Sequence, residues 1–296
     1  MEQIKTFLKK IDMPEAAIEC YTACLSAIGE NKEAAALLYS VADRYEKDFA
    51  FDAAEIVEKA DRAAELAGVS PFTAYAVFWL AMTGRLKRYY DEKGYPEQLF
   101  YHTLKDFTYK ALETMNLHGV YGLHCPKWYP NFFNGKRFAF GNLQFEQYAF
   151  SSEQPFRGDG VVIRYGDPVL NVHLPRTGKR LDYEGVRAAY REAAEFFKDW
   201  FGERPVVFYC STWLFFKRNF EALSETSNLR KFCGDYDIFF NADYDDYTQV
   251  WRLFDMFYTG DPEALPGDTS LRRFYKDLIR KGEKTGRGKG IYIYKS

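Results

Sequence analysis

Apolar residues recur every three or four positions through the first 118 residues and every second position from about Arg137 onward, so the period itself divides the chain. Asp12 and Pro14 open a helix that Gly29 closes. Ala34, Leu37, Leu38, Val41 and Tyr45 keep helical spacing. A third helix runs from Ala53 to Leu66 with Gly68 as its stop. Ser70 and Pro71 start the segment AYAVFWLAM, whose apolar residues surround the helix axis, so this helix is expected at the centre of a core. Leu99 to Leu117 completes the series, and Gly119 ends it. No repeat of fixed period links these helices, which points to an irregular helical domain and away from a solenoid.

Between Gly119 and Lys136, prolines, glycines and aromatics break every period, and VYGLHCPKWYPNFFNGK reads as a connector on the surface. RFAF and LQFEQYAF alternate about Gly141-Asn142, a hairpin signal. VVIRY and VLNVHLP flank the turn residues Gly166-Asp167-Pro168. A charged loop, RTGKRLDYEG, leads into the amphipathic helix VRAAYREAAEFFKDWF and the strand PVVFYC. Then come a helix from Phe220 to Phe232, the strand DIFFNA, a helical TQVWRLFDMF, a basic helix from Leu271 to Arg280 and a last strand, GIYIY. The expected fold class is α+β: a helical N-terminal domain over residues 1–122, then a mixed β-sheet domain with flanking helices over 123–296.

Composition narrows the functional classes. A chain of 296 residues supports two domains with separate cores. Its net charge of −2 supplies no basic field for nucleic acid or a membrane surface. Aromatic residues make up 19% of the chain, which favours well-filled cores and an aromatic-lined cleft. The five cysteines are odd in number and lack framework spacing. The N-terminal residues lack the apolar stretch of a signal peptide. Ala74 to Met82, the longest apolar run, falls far short of the roughly 20 residues that cross a bilayer. A soluble, cytoplasmic protein with reduced thiols is expected, with no signal for its oligomeric state.

The stretch from Val169 to Cys210 carries the chemistry. A loop entering a helix N-terminus offers unpaired backbone N–H groups and the positive end of a dipole, a natural seat for phosphate. Arg176, Lys179 and Arg180 add positive charge there, and Asp182 is placed to cap the helix. A nucleotide-like cofactor is the expectation.

The runs VHLPRTGKRLDYEGV, FYCSTWLF, SNLRKF and LPGDTSLRRFYKDLIRKG resemble the GNAT-like C-terminal domain of bacterial acyltransferase-domain proteins, which also carry a helical N-terminal domain. The resemblance covers about half of the chain. It implies a GNAT N-acyltransferase fold in which acyl-CoA places its pyrophosphate on the loop after the fourth strand, here Arg176, Thr177, Gly178, Lys179 and Arg180. The pantetheine arm would lie where the fourth strand (VLNVHLP) and fifth strand (PVVFYC) splay apart, with Ser211 as a hydrogen-bonding partner. An amine deprotonated by a general base would attack the thioester, and an acid would protonate the leaving thiolate. The usual loop of that superfamily is Arg/Gln-x-x-Gly-x-Gly/Ala. This chain keeps one glycine and crowds the rest with long cations, which shifts phosphate binding from backbone to side chains.

His173 is the leading base, since a neutral imidazole near pH 7 suits proton removal from an ammonium. Glu146 is a second base candidate and Tyr209 the candidate acid. His173 and Glu146 each have a structural alternative, a hydrogen-bonded core histidine and an exposed strand glutamate. Cys210 reads as a buried structural thiol. The resemblance puts Ser227-Asn228 near where many GNAT enzymes place an acid, with a helix cap or a tertiary hydrogen bond as the alternative. His118, His124 and Cys125 match no compact ligand spacing, and no metal is expected. Gly286, Gly288 and Gly290 give a weak phosphate signal, and the acidic group of Asp243, Asp245 and Asp246 reads as a solvated loop.

The leading functional expectation is an N-acyltransferase moving acetyl or another acyl group from CoA to an amine on a small molecule or peptide, bound in a groove between the domains. The rival is a GNAT-like binding or scaffold module that has lost CoA. Arg176 and Lys179 tied to internal carboxylates would favour the module.

Overall fold

The computed structural model describes residues 2–295. The chain divides into two compact units, Met1–Ala139 and Phe140–Ser296. The fold is α+β, a helical first unit and a mixed six-stranded sheet.

The first unit contains α1 (Glu2–Lys10), α2 (Glu15–Glu30), α3 (Lys32–Asp48), α4 (Ala53–Ala67), α5 (Pro71–Ala81), α6 (Thr83–Glu92), α7 (Glu97–Leu104), α8 (Asp106–His118) and the single turn α9 (Pro130–Phe133). α2 runs past Gly29 to Asn31, whose side-chain oxygen accepts from the backbone N–H of Glu33 and Ala34 at 3.0 Å each and so starts α3. Gly68 (φ 64°) ends α4, and Gly119 (φ 70°) ends α8, both in the left-handed region that glycine reaches without strain. α5 is buried on all sides, as its apolar circumference predicts. The helix expected from Leu99 to Leu117 is two helices, α7 and α8, joined at Lys105 with no proline or glycine to signal the break.

The connector is not on the surface. Tyr129, Phe132 and Phe133 are fully buried. Phe133 packs on Trp79 at 4.9 Å between ring centroids, and Tyr129 packs on Phe107 at 4.5 Å. The Tyr45 hydroxyl donates to the Phe133 carbonyl at 2.7 Å. A segment too short and too broken for periodicity thus supplies three large rings to the helical core.

Next come β1 (Arg137–Phe140), β2 (Leu143–Ala149), β3 (Phe156–Gly158), β4 (Val161–Ile163), β5 (Pro168–His173), α10 (Tyr183–Phe201), β6 (Val207–Thr212), α11 (Asn219–Ala222), α12 (Asn228–Gly234), β7 (Asp237–Asp243), α13 (Trp251–Phe254), α14 (Ser270–Arg280) and β8 (Gly286–Ile293). The main sheet has the order β1-β2-β5-β6-β8-β7, and β3 pairs with β4 as a separate hairpin. β4 therefore turns back on β3, not on β5 across Gly166-Asp167-Pro168. β2 and β5 are antiparallel, β5 and β6 parallel, and β8 is antiparallel to both β6 and β7.

The helix expected from Phe220 to Phe232 is two short helices, and Ser227 caps the second by accepting from the Arg230 N–H at 3.2 Å. The Asn228 amide donates to the Leu181 carbonyl at 2.8 Å. The three glycines of β8 serve packing. A Cβ on Gly288 would lie 2.6 Å from the Phe215 carbonyl oxygen, and one on Gly290 would lie 2.9 Å from Tyr236 Cβ. α13 and α14 share a small core of their own, formed by Val250, Phe254, Leu265, Leu271, Tyr275 and Ile279.

Candidate functional site

Strand register sorts the sheet residues into two faces, because opposed residues share a face and neighbours along a strand alternate. Phe145, Leu170, Val172, Phe208 and Cys210 occupy one face. There Tyr190 of α10 packs on Phe208 (4.8 Å) and Phe145 (6.1 Å). The other face carries Gln144, Glu146 and Tyr148 of β2, Asn171 and His173 of β5, and Tyr209 and Ser211 of β6. A period-two strand with α10 on one side delivers its polar residues to the opposite side.

On this polar face His173 and Glu146 meet. His173 Nε2 lies 2.8 Å from Glu146 Oε2, although Gln144 is the residue directly opposite His173. The pair is a diagonal one across antiparallel strands. The Asn171 amide lies 3.3 Å from the same imidazole nitrogen. The side chains of His173 and Glu146 are 19% and 6% exposed, so the carboxylate is covered and the imidazole reaches toward solvent. With Nε2 protonated toward the carboxylate, Nδ1 is the acceptor nitrogen of the ring.

Tyr209 sits one strand over, opposite Asn171, which is itself opposite Glu146. Two strand spacings, roughly 10 Å, separate the Tyr209 and Glu146 positions. Tyr148 stacks on the Tyr209 ring at 5.9 Å with planes 7° apart, and Phe150 meets it edge-on at 6.0 Å. Burial pushes the Tyr209 phenol up to about 12, against a hydrogen bond with Ser211 that pulls the other way. It therefore carries its proton at neutral pH, as an acid must. Ser211 is exposed at the next position on the same face. Cys210 points to the opposite face and is buried, which raises its thiol well above the usual range and leaves it protonated and unreactive.

Parallel pairing between β5 and β6 covers Leu170 with Phe208 and Asn171 with Tyr209. Beyond it, β5 continues to His173 beside β2, and β6 continues to Thr212 beside β8. The β5–β6 ladder ends at the Asn171–Tyr209 pair, and His173 and Ser211 lie just beyond it.

The charged loop begins three residues past His173. The Arg176 guanidinium pairs through both terminal nitrogens with the Asp255 carboxylate, which also accepts from Arg272 at 2.9 Å. The Thr177 hydroxyl accepts from the Lys179 N–H at 3.2 Å, and Gly178 takes φ 73°. Lys179 and Arg180 are exposed, and among the described residues no carboxylate pairs with either. The Asp182 carboxylate accepts from the Gly185 N–H at 3.1 Å and caps α10. One loop cation is thus already committed to a carboxylate, while two reach into solvent.

A second imidazole–carboxylate pair lies in the helical unit. His124 Nε2 is 2.8 Å from Glu113 Oε1, Lys110 Nζ is 2.9 Å from the same oxygen, and Cys125 Sγ is 3.5 Å from the His124 ring nitrogens. Burial alone would lower His124, but hydrogen bonds to Cys125 and Glu113 outweigh it and hold it at about 9. Burial would likewise raise Glu113, but His124 and Lys110 hold it at about 2. Among the described residues no group of three or more His, Cys, Asp or Glu side chains is arranged to hold a metal ion.

Sequence reading did not single out Asn171, Glu113, Asp255 or Arg272 as site residues. Arg272 stands in one of the runs that carry the family resemblance, and the other three have no comparable signal.

A helical unit, a sheet of this order with one parallel pair, and a charged loop leading into a capped helix define a protein of the GNAT-type N-acyltransferase class. The chain belongs to the family with a GNAT-like C-terminal domain, matched over residues 138–292, and residues 2–135 match the N-acyltransferase N-terminal domain. The resemblance drawn from the sequence runs is thereby confirmed. No curated protein matches the chain in sequence. Among solved structures, the chain is similar to an acyltransferase in complex with decanoyl-CoA and teicoplanin (18% identity, 99% of this chain and 88% of that one covered, TM-score 0.74). An acyltransferase mutant in complex with octanoyl-CoA aligns comparably (18%, 100% and 88%, TM-score 0.73). An acyltransferase in complex with decanoyl-CoA also aligns (18%, 99% and 99%, TM-score 0.65). At such identities the likeness establishes the fold.

Proposed function

We propose that this chain transfers an acyl group from acyl-CoA to an amine. The observation that carries this reading is the His173–Glu146 pair, set on the polar face with Tyr209 at the end of the β5–β6 ladder. His173 Nδ1 takes a proton from the acceptor ammonium while Glu146 holds the ring and stabilises the imidazolium that forms. The freed amine attacks the thioester carbonyl, the C–S bond breaks, and Tyr209 gives its proton to the thiolate of CoA. The new amide nitrogen sheds its extra proton, which restores the Tyr209 phenol. Ser211 hydrogen-bonds the pantetheine arm, and Arg176, Thr177, Gly178, Lys179 and Arg180 take the pyrophosphate.

Acetyl is the simplest donor group. The similar structures hold decanoyl-CoA and octanoyl-CoA, so medium-chain thioesters belong in the same test. One of them also holds teicoplanin, which makes a glycopeptide amine a sensible first acceptor beside small amines.

One observation favours the rival reading, a module without CoA: Arg176 is already paired with Asp255. Thermal unfolding with acetyl-CoA, decanoyl-CoA and CoA, with ATP as control, separates the two. A ligand specific to the native state adds about 2.7 kcal/mol of stability at roughly a hundredfold excess over its dissociation constant. A CoA-specific rise, followed by acyl-amine product in mass spectrometry, is the expected result. No rise with any CoA species sinks the enzyme reading.

A further inference from the structure

We infer that Asp255 is an internal stand-in for the donor's phosphate: it holds Arg176 in the free protein and competes with phosphate for the same guanidinium face. This rests on the donor reading above.

The geometry is that of an exchange site. A guanidinium binds a carboxylate and a phosphate through the same planar fork of two N–H groups. Arg176 spends both terminal nitrogens on Asp255, so a phosphate using that fork must displace the carboxylate. Displacement is inexpensive here because Asp255 has a second partner. Arg272 donates to it at 2.9 Å, and Arg272 is itself fixed by the Leu253 carbonyl and Asp268, at 2.9 Å each. When Arg176 swings to phosphate, Asp255 stays paired with Arg272 and no half-buried charge is orphaned.

The two sides of this exchange sit on different supports. Arg176 lies in the loop after β5, whereas Asp255 and Arg272 belong to the α13–α14 pair, which has its own small core. Asp255 holds φ 63°, a left-handed position at the end of α13 that aspartate and asparagine adopt more readily than other non-glycine residues.

The test is titration calorimetry with CoA, inorganic pyrophosphate and pantetheine on wild type, Asp255→Asn, Arg176→Ala and the double variant. Asparagine suits the left-handed backbone and keeps the side-chain shape while removing the charge. Asp255→Asn is expected to bind CoA and pyrophosphate about 10-fold tighter, the scale of one charge-assisted hydrogen bond, and pantetheine no differently. The gain must vanish in the Arg176→Ala background.

A gain that persists without Arg176 overturns the inference, since it would reflect overall charge alone. So does wild-type CoA binding that Asp255→Asn leaves unchanged or weakens, in which case the donor reading still stands. If CoA binds no variant but pyrophosphate binds Asp255→Asn tighter through Arg176, the exchange holds and the donor reading falls. If neither compound binds any variant, both fall.

Discussion

The protein contains the same chemical pair twice, and the surroundings give the two copies opposite characters. His124–Glu113 and His173–Glu146 each place an imidazole Nε2 2.8 Å from a carboxylate oxygen. In the helical unit the pair is sealed: its side chains are 8% and 7% exposed, Lys110 occupies the same carboxylate oxygen, and the Cys125 thiol lies against the ring. On the sheet the imidazole is 19% exposed on a polar face, one strand from a protonated phenol. A histidine held at about 9 by burial-resistant partners stays charged and serves as a strut. One that reaches solvent just beyond the β5–β6 ladder can take and release a proton. The pair does not make the site; what can approach it does.

Deleting each imidazole is the strongest way to break this contrast. His173→Ala should lower acyl-transfer kcat by about 10²- to 10⁴-fold, the range for a general base, and because it also takes a partner from the buried Glu146 carboxylate, turnover is read per folded molecule. Steady-state kinetics on a folded variant decide it; full activity would remove His173 from the mechanism. Tyr209→Phe keeps the ring stacked on Tyr148 and removes only the hydroxyl, so a drop in kcat of about 10²-fold without a change in donor affinity is expected. His124→Ala should do the reverse. Leaving Glu113 with Lys110 alone costs about 1–3 kcal/mol in denaturant titration, the scale of one lost buried hydrogen-bond partner, while turnover per folded molecule stays near wild type.

Why the sequence disclosed one copy and hid the other follows from how each is assembled. His173 and Glu146 both stand out by type on alternating strands, yet they read as competing bases, because only the β2–β5 register makes them diagonal neighbours. Glu113 and His124 come together through a helix and a broken loop, for which no spacing rule exists. The same loop misled the reading of burial: its prolines and glycines erase periodicity, so Tyr129, Phe132 and Phe133 read as surface while their size takes them into the core. The two-part architecture, the central α5, the hairpin at Gly141 and the helix after the charged loop were legible, since each rests on long periodic runs with clear stops. Asp255 was not, because a one-turn helix carries no pattern and its partner Arg176 is 79 residues away.

The finest discrimination between the pairs is their pH signature, and its sign follows from the shifts. His124 is raised from 6.5 to about 9 in the folded state, so its stabilisation is complete below about pH 6.5 and is lost as pH rises through 9. Glu113 is lowered from 4.5 to about 2, so its share is complete above about pH 4.5 and is lost as pH falls through 2. The strut is therefore strongest between about pH 4.5 and 6.5. Glu113→Gln removes the carboxylate that keeps His124 charged, so the stability gap between wild type and variant should narrow as pH rises from 6 to 10. It should not close, because the Lys110 pair still distinguishes glutamate from glutamine over most of that range. Thermal unfolding at single-unit pH steps reads the effect. A gap constant across that window would mean that Glu113 is not what holds His124 charged, and the imidazole–carboxylate pair would lose its role as the strut.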